Sequence, residues 1–479
     1  MTHAPAIGKR LRRDLAWGLP LGAAISLAAV GPAAAWGAIA AAPLVAGLAW
    51  WVIRRAERWV LAFLAAALLL PPLPLPGGDA GPHPAAAVAL LGLWSGLAHL
   101  GLWRRPRDLV SLALLLLMGA ISLSVPLAAL YSGPGAAAGS LARVALLGIS
   151  VFAYLYVSCG PGRALEPEPL LRLLFWAGGA SAVFACLDFY FQFPAPARFA
   201  QQFAWLPQGV YRRAQGVFYE ASTLGALCVL LLVLIASAGI LRMGPRLGLR
   251  PAWLLAGGVV SLAALLLSYS RAALASLAVA LAALLWIRRR LAPTRWKPGR
   301  GSVAALACLA GGAAIVYRLR PEFLTAYLER VWYGVLNLIA APDVAFSRRL
   351  ESWGFLLEFL RDHPWHALLG IGYKTLPYSD FAGRAVIADN MYLSLLVETG
   401  LPGLAALLLL LAAALVTSYR TALGPPADSA ARRLVGVWMF CFWCGLAVQM
   451  ASGDTLTYWR ILPAFLVPLA VAARGEPAP

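Results

Sequence analysis

Uninterrupted apolar runs of about 20 residues recur along this chain, and they constrain its fold more than any other feature. A helical run of that length spans a hydrocarbon core of roughly 30 Å. Of the 479 residues, 61% are hydrophobic and 12% are charged, whereas about a quarter of a soluble domain is charged. The runs are continuous, unlike the short alternating segments of a membrane β-barrel. The sequence therefore predicts an all-α polytopic membrane protein with no separate soluble domain.

The apolar runs give fourteen candidate spans. We expect about 12–14 membrane helices in three regions. These are N-terminal helices over residues 1–200, a core over 201–420 that includes a long loop near 318–388, and C-terminal helices over 421–479. The candidate spans lie near residues 15–35, 37–53, 59–76, 85–103, 109–130, 142–159, 170–191, 216–241, 252–268, 271–287, 302–317, 391–418, 434–451 and 455–472.

Arginine and lysine cluster in alternate loops, and this asymmetry predicts the orientation of the chain. Basic residues concentrate in cytoplasmic loops. The groups within residues 9–13, 54–58, 104–107, 288–300 and 432–433 all fall on one side when the spans are counted as above. Both termini are therefore expected in the cytoplasm. The net charge of +19 follows mostly from this asymmetry, so no nucleic-acid binding is expected. An even span count favours an uncleaved first span, with cleavage as a signal peptide the alternative.

Five ionisable residues within or beside apolar runs lie toward the opposite, external ends of the spans. They are Asp188, Glu220, Arg271, Asp389 and Glu398. A transporter places such groups near the midplane, along a path through the membrane. Their concentration at one face predicts a binding or reaction site at the external surface.

The segment between residues 318 and 388 is predicted to form a cap over this external face. Its sequence contains two amphipathic helical patterns with aromatic residues, as interfacial helices do. The second pattern stops at Pro364. The apolar positions are Leu324, Leu328, Val331, Val335 and Leu338 in the first pattern, and Leu350, Trp353, Leu357 and Leu360 in the second.

Arginines at span ends are candidates for binding an anion. In "YRRAQGVFYEASTLG" Arg212 and Arg213 precede Glu220 at the start of a span, and in "LLLSYSRAALASLAVA" Arg271 marks the turn between two spans. A guanidinium group is a permanent bidentate donor that suits phosphate oxygens. Such arginines from distant segments indicate a lipid diphosphate. The alternatives are a snorkelling arginine that anchors a helix end and the binding of ordinary anionic lipid.

The stretch "ADNMYLSLLVETGLPG" combines polar residues with an apolar helix. In a helix, Asn390, Ser394 and Glu398 form one polar stripe, with Asp389 at its external end. The stripe suits a substrate cavity, while helix packing is an alternative role. Asp389 is a candidate for chemistry, and its alternative is an N-cap. The sequence "ETGLPG" predicts a break before the long span continues.

The sequence lacks the motifs of several metal and nucleotide sites. It has no Asp-x-Asp pair for a metal and nucleotide sugar, no P-loop and no zinc-ligand spacing. The five histidines form no cluster, and the single Cys-x-x-Cys at Cys441 and Cys444 lies in an apolar run, as packing residues do. We therefore expect neither a metal nor a cofactor.

Four pieces of the sequence resemble the O-antigen ligase and polymerase family of bacterial envelope glycan assembly. In order over residues 205–405 they are "RRAQGVFYEASTLG", "SYSRAALASL", "SRRLESWGFLLEFLRDHPWHALLGIGY" and "ADNMYLSLLVETGLPG". The resemblance implies a fold of the C-type glycosyltransferase kind in the bacterial inner membrane, with an external loop over the site. It also implies transfer of a glycan from undecaprenyl diphosphate to an acceptor hydroxyl, without metal or nucleotide sugar.

The resemblance also implies roles for residues. Arg213 and Arg271 match the family's diphosphate-binding arginines. Asp389 matches the position where ligases typically carry a catalytic His before Asn, and this departure favours a polymerase-type member. The implied reaction is a single inverting displacement in which Asp389 orients or deprotonates the acceptor hydroxyl. The expected substrate-binding residues are Arg213, Arg271, Arg348, Asn390 and Glu220.

Other functions stay open at this point. A ligase that joins glycan to lipid A-core or to protein is the nearest alternative, and a lipid-linked oligosaccharide flippase or a non-catalytic scaffold comes from another class. A flippase predicts polar residues through the cytoplasmic half of several spans, which the sequence does not show. The expected partners are the lipid-linked glycan, an acceptor glycan, lipid or protein, membrane lipids and envelope polysaccharide-assembly proteins.

Overall fold

The computed structural model describes residues 46–72, 83–194, 202–206, 209–291, 300–319, 321–340, 349–378, 385–424 and 430–474, apart from residues 48 and 53. Over these residues the protein is almost entirely helical, as the long apolar runs predict. The candidate span near 15–35 and most of the one near 37–53 lie outside the described residues.

The elements follow in the order that the apolar runs suggest. Where the bounds of an α-helix are defined, they are α1 (Glu57–Leu69), α2 (Pro84–Ala98), α3 (Leu109–Ser158), α4 (Pro167–Phe191), α5 (Ala221–Ile240), α6 (Pro251–Leu267), α7 (Arg271–Leu291), α8 (Arg300–Leu319), α9 (Pro321–Ala340), α10 (Arg349–Asp362), α11 (Pro364–Leu369), α12 (Met391–Leu423), α13 (Ala430–Met450) and α14 (Leu462–Ala473). The strands β1 (Phe203–Leu206) and β2 (Gly209–Arg212) lie between α4 and α5.

Six of the described helices are long and apolar enough to cross a membrane: α3, α4, α5, α7, α12 and α13. Three shorter apolar helices, α2, α6 and α14, coincide with further candidate spans. The prediction of an all-α polytopic membrane protein is therefore confirmed. The total number of spans stays a prediction.

α3 is a helical hairpin. Gly133 in its middle has a φ of 83° and a ψ of 170°, a conformation that glycine adopts readily. Tyr154 Oη donates a hydrogen bond to Asp108 Oδ1 at 2.7 Å, which brings the two ends of α3 side by side. The predicted spans near residues 109–130 and 142–159 are the two arms of this hairpin.

α12 also reverses direction, at Gly400, where φ is 71° and ψ is −171°. Met391 and Leu410 line one small apolar cavity. A straight helix would separate residues nineteen positions apart by about 28 Å, so the first arm of α12 folds back along the second. A Cβ atom at Gly400 would lie 2.2 Å from the carbonyl oxygen of Leu368, so α11 packs directly against the reversal. The break predicted at "ETGLPG" is present, and it is sharper than expected.

α13 packs against both α5 and α7. Trp438 Nε1 donates to the carbonyl oxygen of Leu230 in α5 at 2.8 Å. Gly445 lies so close to α7 that a Cβ atom would be 2.4 Å from the carbonyl oxygen of Ser276. Small residues allow membrane helices to approach in this way. α13 is therefore a fixed support for the helix ends that carry the site residues.

The segment between residues 318 and 388 forms helices where the sequence predicts them, and the predicted apolar faces are confirmed in part. Leu324, Val331, Trp353 and Leu360 are buried or packed against the core, whereas Leu328 and Leu357 are 58% and 56% exposed. In α9 the most deeply buried side chains are aromatic, which bury more area than leucine. The buried side chains are Phe323, Ala326 and Tyr327 in α9, and Leu356, Phe359 and Leu360 in α10.

Candidate functional site

Asp389 lies between α10 and α12, and an arginine holds its carboxylate. Arg349 contacts Asp389 Oδ2 through Nη2 at 3.0 Å and through Nε at 3.2 Å. Trp353, one turn along α10, donates its Nε1 hydrogen to the carbonyl oxygen of Ala388 at 2.7 Å. α10 therefore fixes both the backbone and the side chain at this position. Arg348, the predicted arginine, lies outside the described residues, and the sequence reasoning missed its neighbour Arg349.

Asn390 is the residue that caps α12. Its Oδ1 accepts hydrogen bonds from the backbone N–H groups of Tyr392 at 3.1 Å and Leu393 at 3.2 Å. The capping role considered for Asp389 thus belongs to its neighbour. Asp389 itself has a φ of 46°, in the left-handed region that few residues other than glycine adopt. Substrate binding by Asn390 stays a prediction.

Arg213 contacts the turn that leads into Arg271, and the ring of Tyr327 packs on Tyr269 in the same turn. Arg213 Nε donates to the carbonyl oxygen of Ser268 at 2.8 Å, three residues before Arg271. Arg271 is the first residue of α7. The positive charges of both arginines act on the hydroxyl group of Tyr327 in α9. Arg213 and the turn before Arg271 are therefore in contact, although they are distant in sequence, and binding of an anion by the two arginines stays a prediction.

A β-hairpin that the sequence analysis did not predict presents Arg213. β1 and β2 pair antiparallel, with Phe203 opposite Arg212. Arg212 is buried, and its Nη2 donates to Asp188 Oδ1 at 2.6 Å at the end of α4. This ion pair fixes the strand that leads into Arg213. The available signal was the short aromatic stretch "FAWLPQGVYR", with a turn sequence in its middle.

Glu220 is the N-cap of α5. Its Oε2 accepts a hydrogen bond from the backbone N–H of Thr223, and Ser222 Oγ donates to the same oxygen at 2.8 Å. Gln202 Nε2 donates to Oε1 at 3.1 Å. Both carboxylate oxygens therefore hold the start of α5 in place. The predicted contact of Glu220 with substrate stays a prediction.

The last turn of α13 lies between the Asp389 region and the arginine region. Tyr392 Oη, in the first turn of α12, donates to the carbonyl oxygen of Ala447 at 2.7 Å. Gln449 Nε2 donates to the carbonyl oxygen of Ser222, at the start of α5, at 3.2 Å. The starts of α5 and α12 therefore flank one helical turn at one end of the bundle. The predicted position of the ionisable residues at the external membrane face stays a prediction.

A group of buried and partly buried polar side chains that sequence reasoning largely missed supports the first arm of α12. It consists of Lys374, Ser394, Glu398 and Asp454, and we call it the Lys374 cluster. Lys374 Nζ contacts Asp454 Oδ2 at 2.5 Å, and Ser394 Oγ donates to Asp454 Oδ1 at 3.1 Å. The Glu398 carboxylate accepts the backbone N–H of Lys374. Its Oε2 has no hydrogen-bond partner among the described residues.

Charge balance explains why the Lys374 cluster is stable away from bulk water. Burial alone lowers the pKa of Lys374, but the carboxylates of Asp454 and Glu398 outweigh this effect and raise it above the ordinary value. The lysine therefore stays protonated and offsets negative charge beside the polar stripe. Ser394 and Glu398 of the predicted stripe both face this cluster. The available signal was that Lys374 is one of three lysines in the whole chain.

No group of three or more metal-ligating side chains was found among the described residues. The arginines, Tyr327, Asp389 and the Lys374 cluster instead form a site of cations, hydroxyls and carboxylates. Such a set can bind an oxyanion on one side of the α13 turn and a hydroxyl on the other.

Comparison with known proteins bears on this arrangement. Residues 256–408 match the family model described as O-Antigen ligase. A search of curated proteins found no match. The matched stretch contains Arg271, Arg349, Lys374 and Asp389, while Arg213 lies before it. The match supports glycosyltransferase activity of the O-antigen ligase or polymerase type, with glycan and lipid substrates. The resemblance predicted from the motifs is therefore confirmed for residues 256–408, which contain three of the four motifs and are similar to the O-antigen ligase family.

Proposed function

We propose that this protein is a metal-independent inverting glycosyltransferase that moves a glycan from undecaprenyl diphosphate to an acceptor hydroxyl at the external membrane face. Polymerisation of surface polysaccharide repeats is the favoured form, because Asp389 replaces the His that ligases of the family typically carry. Transfer to lipid A-core or to protein is the alternative acceptor chemistry. The proposed location is the bacterial inner membrane, with both termini cytoplasmic.

One observation carries this proposal: two chemically different groups flank the last turn of α13. Arg213 and Arg271 provide two permanent cations around one point, which suits a diphosphate. Asp389 provides a half-exposed carboxylate held from one side by Arg349, which suits an acceptor hydroxyl. A flippase has no need of a carboxylate at the same end of the helix bundle as these arginines.

In the proposed reaction, Arg213 and Arg271 bind the diphosphate oxygens and stabilise the charge that grows on the leaving group. Asp389 accepts the proton of the acceptor hydroxyl at Oδ1, because Oδ2 is held by Arg349. The hydroxyl oxygen forms a new bond to the anomeric carbon on the face opposite the leaving group. The electron pair of the broken carbon–oxygen bond departs with the diphosphate, so the anomeric configuration inverts.

The direct test uses purified protein and a defined undecaprenyl-diphosphate-linked glycan. We expect release of undecaprenyl diphosphate and a longer lipid-linked glycan when the acceptor is a second copy of the same substrate. If product forms only when the acceptor is lipid A-core, the protein is a ligase. If product forms only when the acceptor is a peptide, the protein glycosylates proteins. Movement of intact substrate across a vesicle membrane, without a new glycosidic bond, contradicts the proposal and supports the flippase.

The arginine assignment predicts a difference between arginine and lysine. Arg271→Lys keeps the charge but loses the bidentate geometry, so we expect donor affinity to fall about tenfold. The measurement is the Kd for undecaprenyl diphosphate together with turnover of the glycan donor. Arg361→Lys is the matched control, because Arg361 is 77% exposed on α10. If Arg271→Lys has the Kd and turnover of the wild type, Arg271 is a membrane anchor and not a ligand of the diphosphate.

The proposed orientation predicts which ends of the helices react with an impermeant label. Ile387 lies 67% exposed just before Asp389, and Arg289 is exposed at the far end of α7. In intact cells whose outer membrane has been opened, a cysteine at position 387 should react with an impermeant maleimide. A cysteine at position 289 should react only after the inner membrane is disrupted. The reverse pattern contradicts the topology, and the unmodified chain with its own cysteines is the control.

A further inference from the structure

Tyr327 carries a buried hydroxyl group that the fold itself does not use. The side chain is 2% exposed, and its Oη has no hydrogen-bond partner among the described residues. A buried donor without a partner costs roughly 1–3 kcal/mol. Phenylalanine would fill the same space without this cost, so the hydroxyl calls for a role outside folding.

The position of the Tyr327 ring is fixed by neighbours from three directions. Its centroid lies 4.7 Å from that of Tyr269, and it stacks on Phe323 with an interplanar angle of 7°. Phe323 packs edge-on against Phe189 of α4. Tyr211 Oη, in β2, donates to Glu322 Oε1 at 3.2 Å and holds the start of α9. The hydroxyl is therefore presented by a rigid aromatic group.

The charges around this hydroxyl indicate the partner it suits. Burial raises the pKa of Tyr327, with the nearby Tyr269 acting in the same direction, so the group stays protonated. Arg213 and Arg271 both act on the hydroxyl with positive charge. The geometry agrees, because Arg213 Nε lies 2.8 Å from the carbonyl oxygen of Ser268, and the next residue, Tyr269, packs on Tyr327 two residues before Arg271. A protonated hydroxyl beside this turn suits an anion that it can contact together with the two arginines.

We propose that Tyr327 is a third ligand of the diphosphate, donating a hydrogen bond from Oη to an oxygen that Arg213 and Arg271 also bind. This inference rests on the proposed function. A neutral donor adds a hydrogen bond without further mutual repulsion between cations. The bond strengthens as negative charge grows on the departing diphosphate, so Tyr327 serves the transfer step as well as binding. It also makes α9 part of the donor site.

The test is Tyr327→Phe, with Tyr333→Phe as the matched control. Tyr333 lies on the same helix, and its side chain is 60% exposed. Affinity for undecaprenyl diphosphate is measured for the wild type and both variants, beside thermal unfolding without ligand. We expect the Kd of Tyr327→Phe to rise about tenfold or more, since a hydrogen bond to a charged group is lost. Its Tm should be unchanged or higher, because an unsatisfied hydroxyl is gone. Tyr333→Phe should match the wild type.

Several results would overturn the assignment. They are an unchanged Kd in Tyr327→Phe, an equal loss in Tyr333→Phe, or a loss that accompanies a lower Tm and therefore reports a structural hydroxyl. Phosphatidylglycerol and inorganic pyrophosphate distinguish the source of the anion. An effect confined to phosphatidylglycerol identifies an ordinary lipid site and contradicts the proposal, whereas effects on both diphosphates support it.

The affinity measurement separates this inference from the proposed function. If the wild type forms no transfer product but binds undecaprenyl diphosphate, the proposed function fails and the comparison of variants still decides the role of Tyr327. If the wild type forms product and Tyr327→Phe matches it in Kd and turnover, the proposed function stands and the inference fails. A wild type that does not bind undecaprenyl diphosphate overturns both.

Discussion

Asp389→Asn should reduce glycan transfer by about 10²–10⁴-fold, the usual contribution of a general base. The amide keeps the size of the side chain and can still accept a hydrogen bond, but it cannot take the proton of the acceptor hydroxyl. The capping bonds of α12 come from Asn390, so the helix should be unaffected. The measurement is the rate of product formation by purified variants at equal protein concentration, with donor affinity measured in parallel.

Two control variants separate chemistry from structure at this position. Asp362→Asn changes an exposed aspartate at the end of α10 and should leave transfer unchanged. Arg349→Met removes the contact to Oδ2 but keeps the carboxylate, so its loss should be smaller than that of Asp389→Asn. Full activity in Asp389→Asn contradicts the assignment and directs attention to Glu220 or Glu398. An equal loss in Arg349→Met would mean that the ion pair, and not proton transfer, is what matters.

Lys374→Met should be the most destabilising single substitution among those considered. It leaves Asp454 and Glu398 without their cation, in a place that is only partly open to water. Breaking a buried ion pair costs about 3–5 kcal/mol, and the side chains of Lys374 and Asp454 are 18% and 22% exposed, which points to the lower part of that range. Thermal unfolding in a single detergent measures the effect as a fall in Tm.

A double variant shows whether charge balance is the cause of this loss. Adding Asp454→Asn to Lys374→Met removes one of the two stranded carboxylates, so the Tm should recover by at least half. Arg361→Met is the matched control, because its pairs with Glu358 and Asp362 are solvent-exposed and such pairs contribute about 0–1 kcal/mol. A Tm for Lys374→Met equal to that of Arg361→Met, or no recovery in the double variant, contradicts the charge explanation.

The membrane class and the helix positions could be predicted from the sequence. An apolar run of about 20 residues is long enough to cross a bilayer, and its bounds give the position of a helix. The reversal of α12 was only partly accessible. The sequence "ETGLPG" predicts a break in the helix. Whether the chain reverses at Gly400 also depends on α11, which packs against this glycine. The buried face of α9 was shifted because Phe323 and Tyr327 pack on aromatic residues from distant segments.

For the site as well, features local in the sequence could be predicted, and contacts between distant segments could not. Asp389 and Arg271 could be proposed from the sequence because charges at span ends are conspicuous in an apolar chain. Lys374 and Asp454 were missed because each is an unremarkable loop residue until the fold brings them within 2.5 Å. Arg349 was passed over in favour of Arg348, since side-chain direction at a helix start cannot be read from neighbouring letters.

The cap that Asn390 provides has a consequence for how this site can change over generations. Because residue 390 satisfies the first turn of α12, a substitution at residue 389 leaves the capping energy, about 0.5–2 kcal/mol, untouched. The left-handed backbone at position 389 still limits which residues selection can place there, and Asp, Asn and His are the side chains enriched in that conformation. An exchange between His and Asp is therefore among the few that the backbone permits. The side chain proposed to meet the acceptor can therefore change at this position while the helix that follows it stays the same.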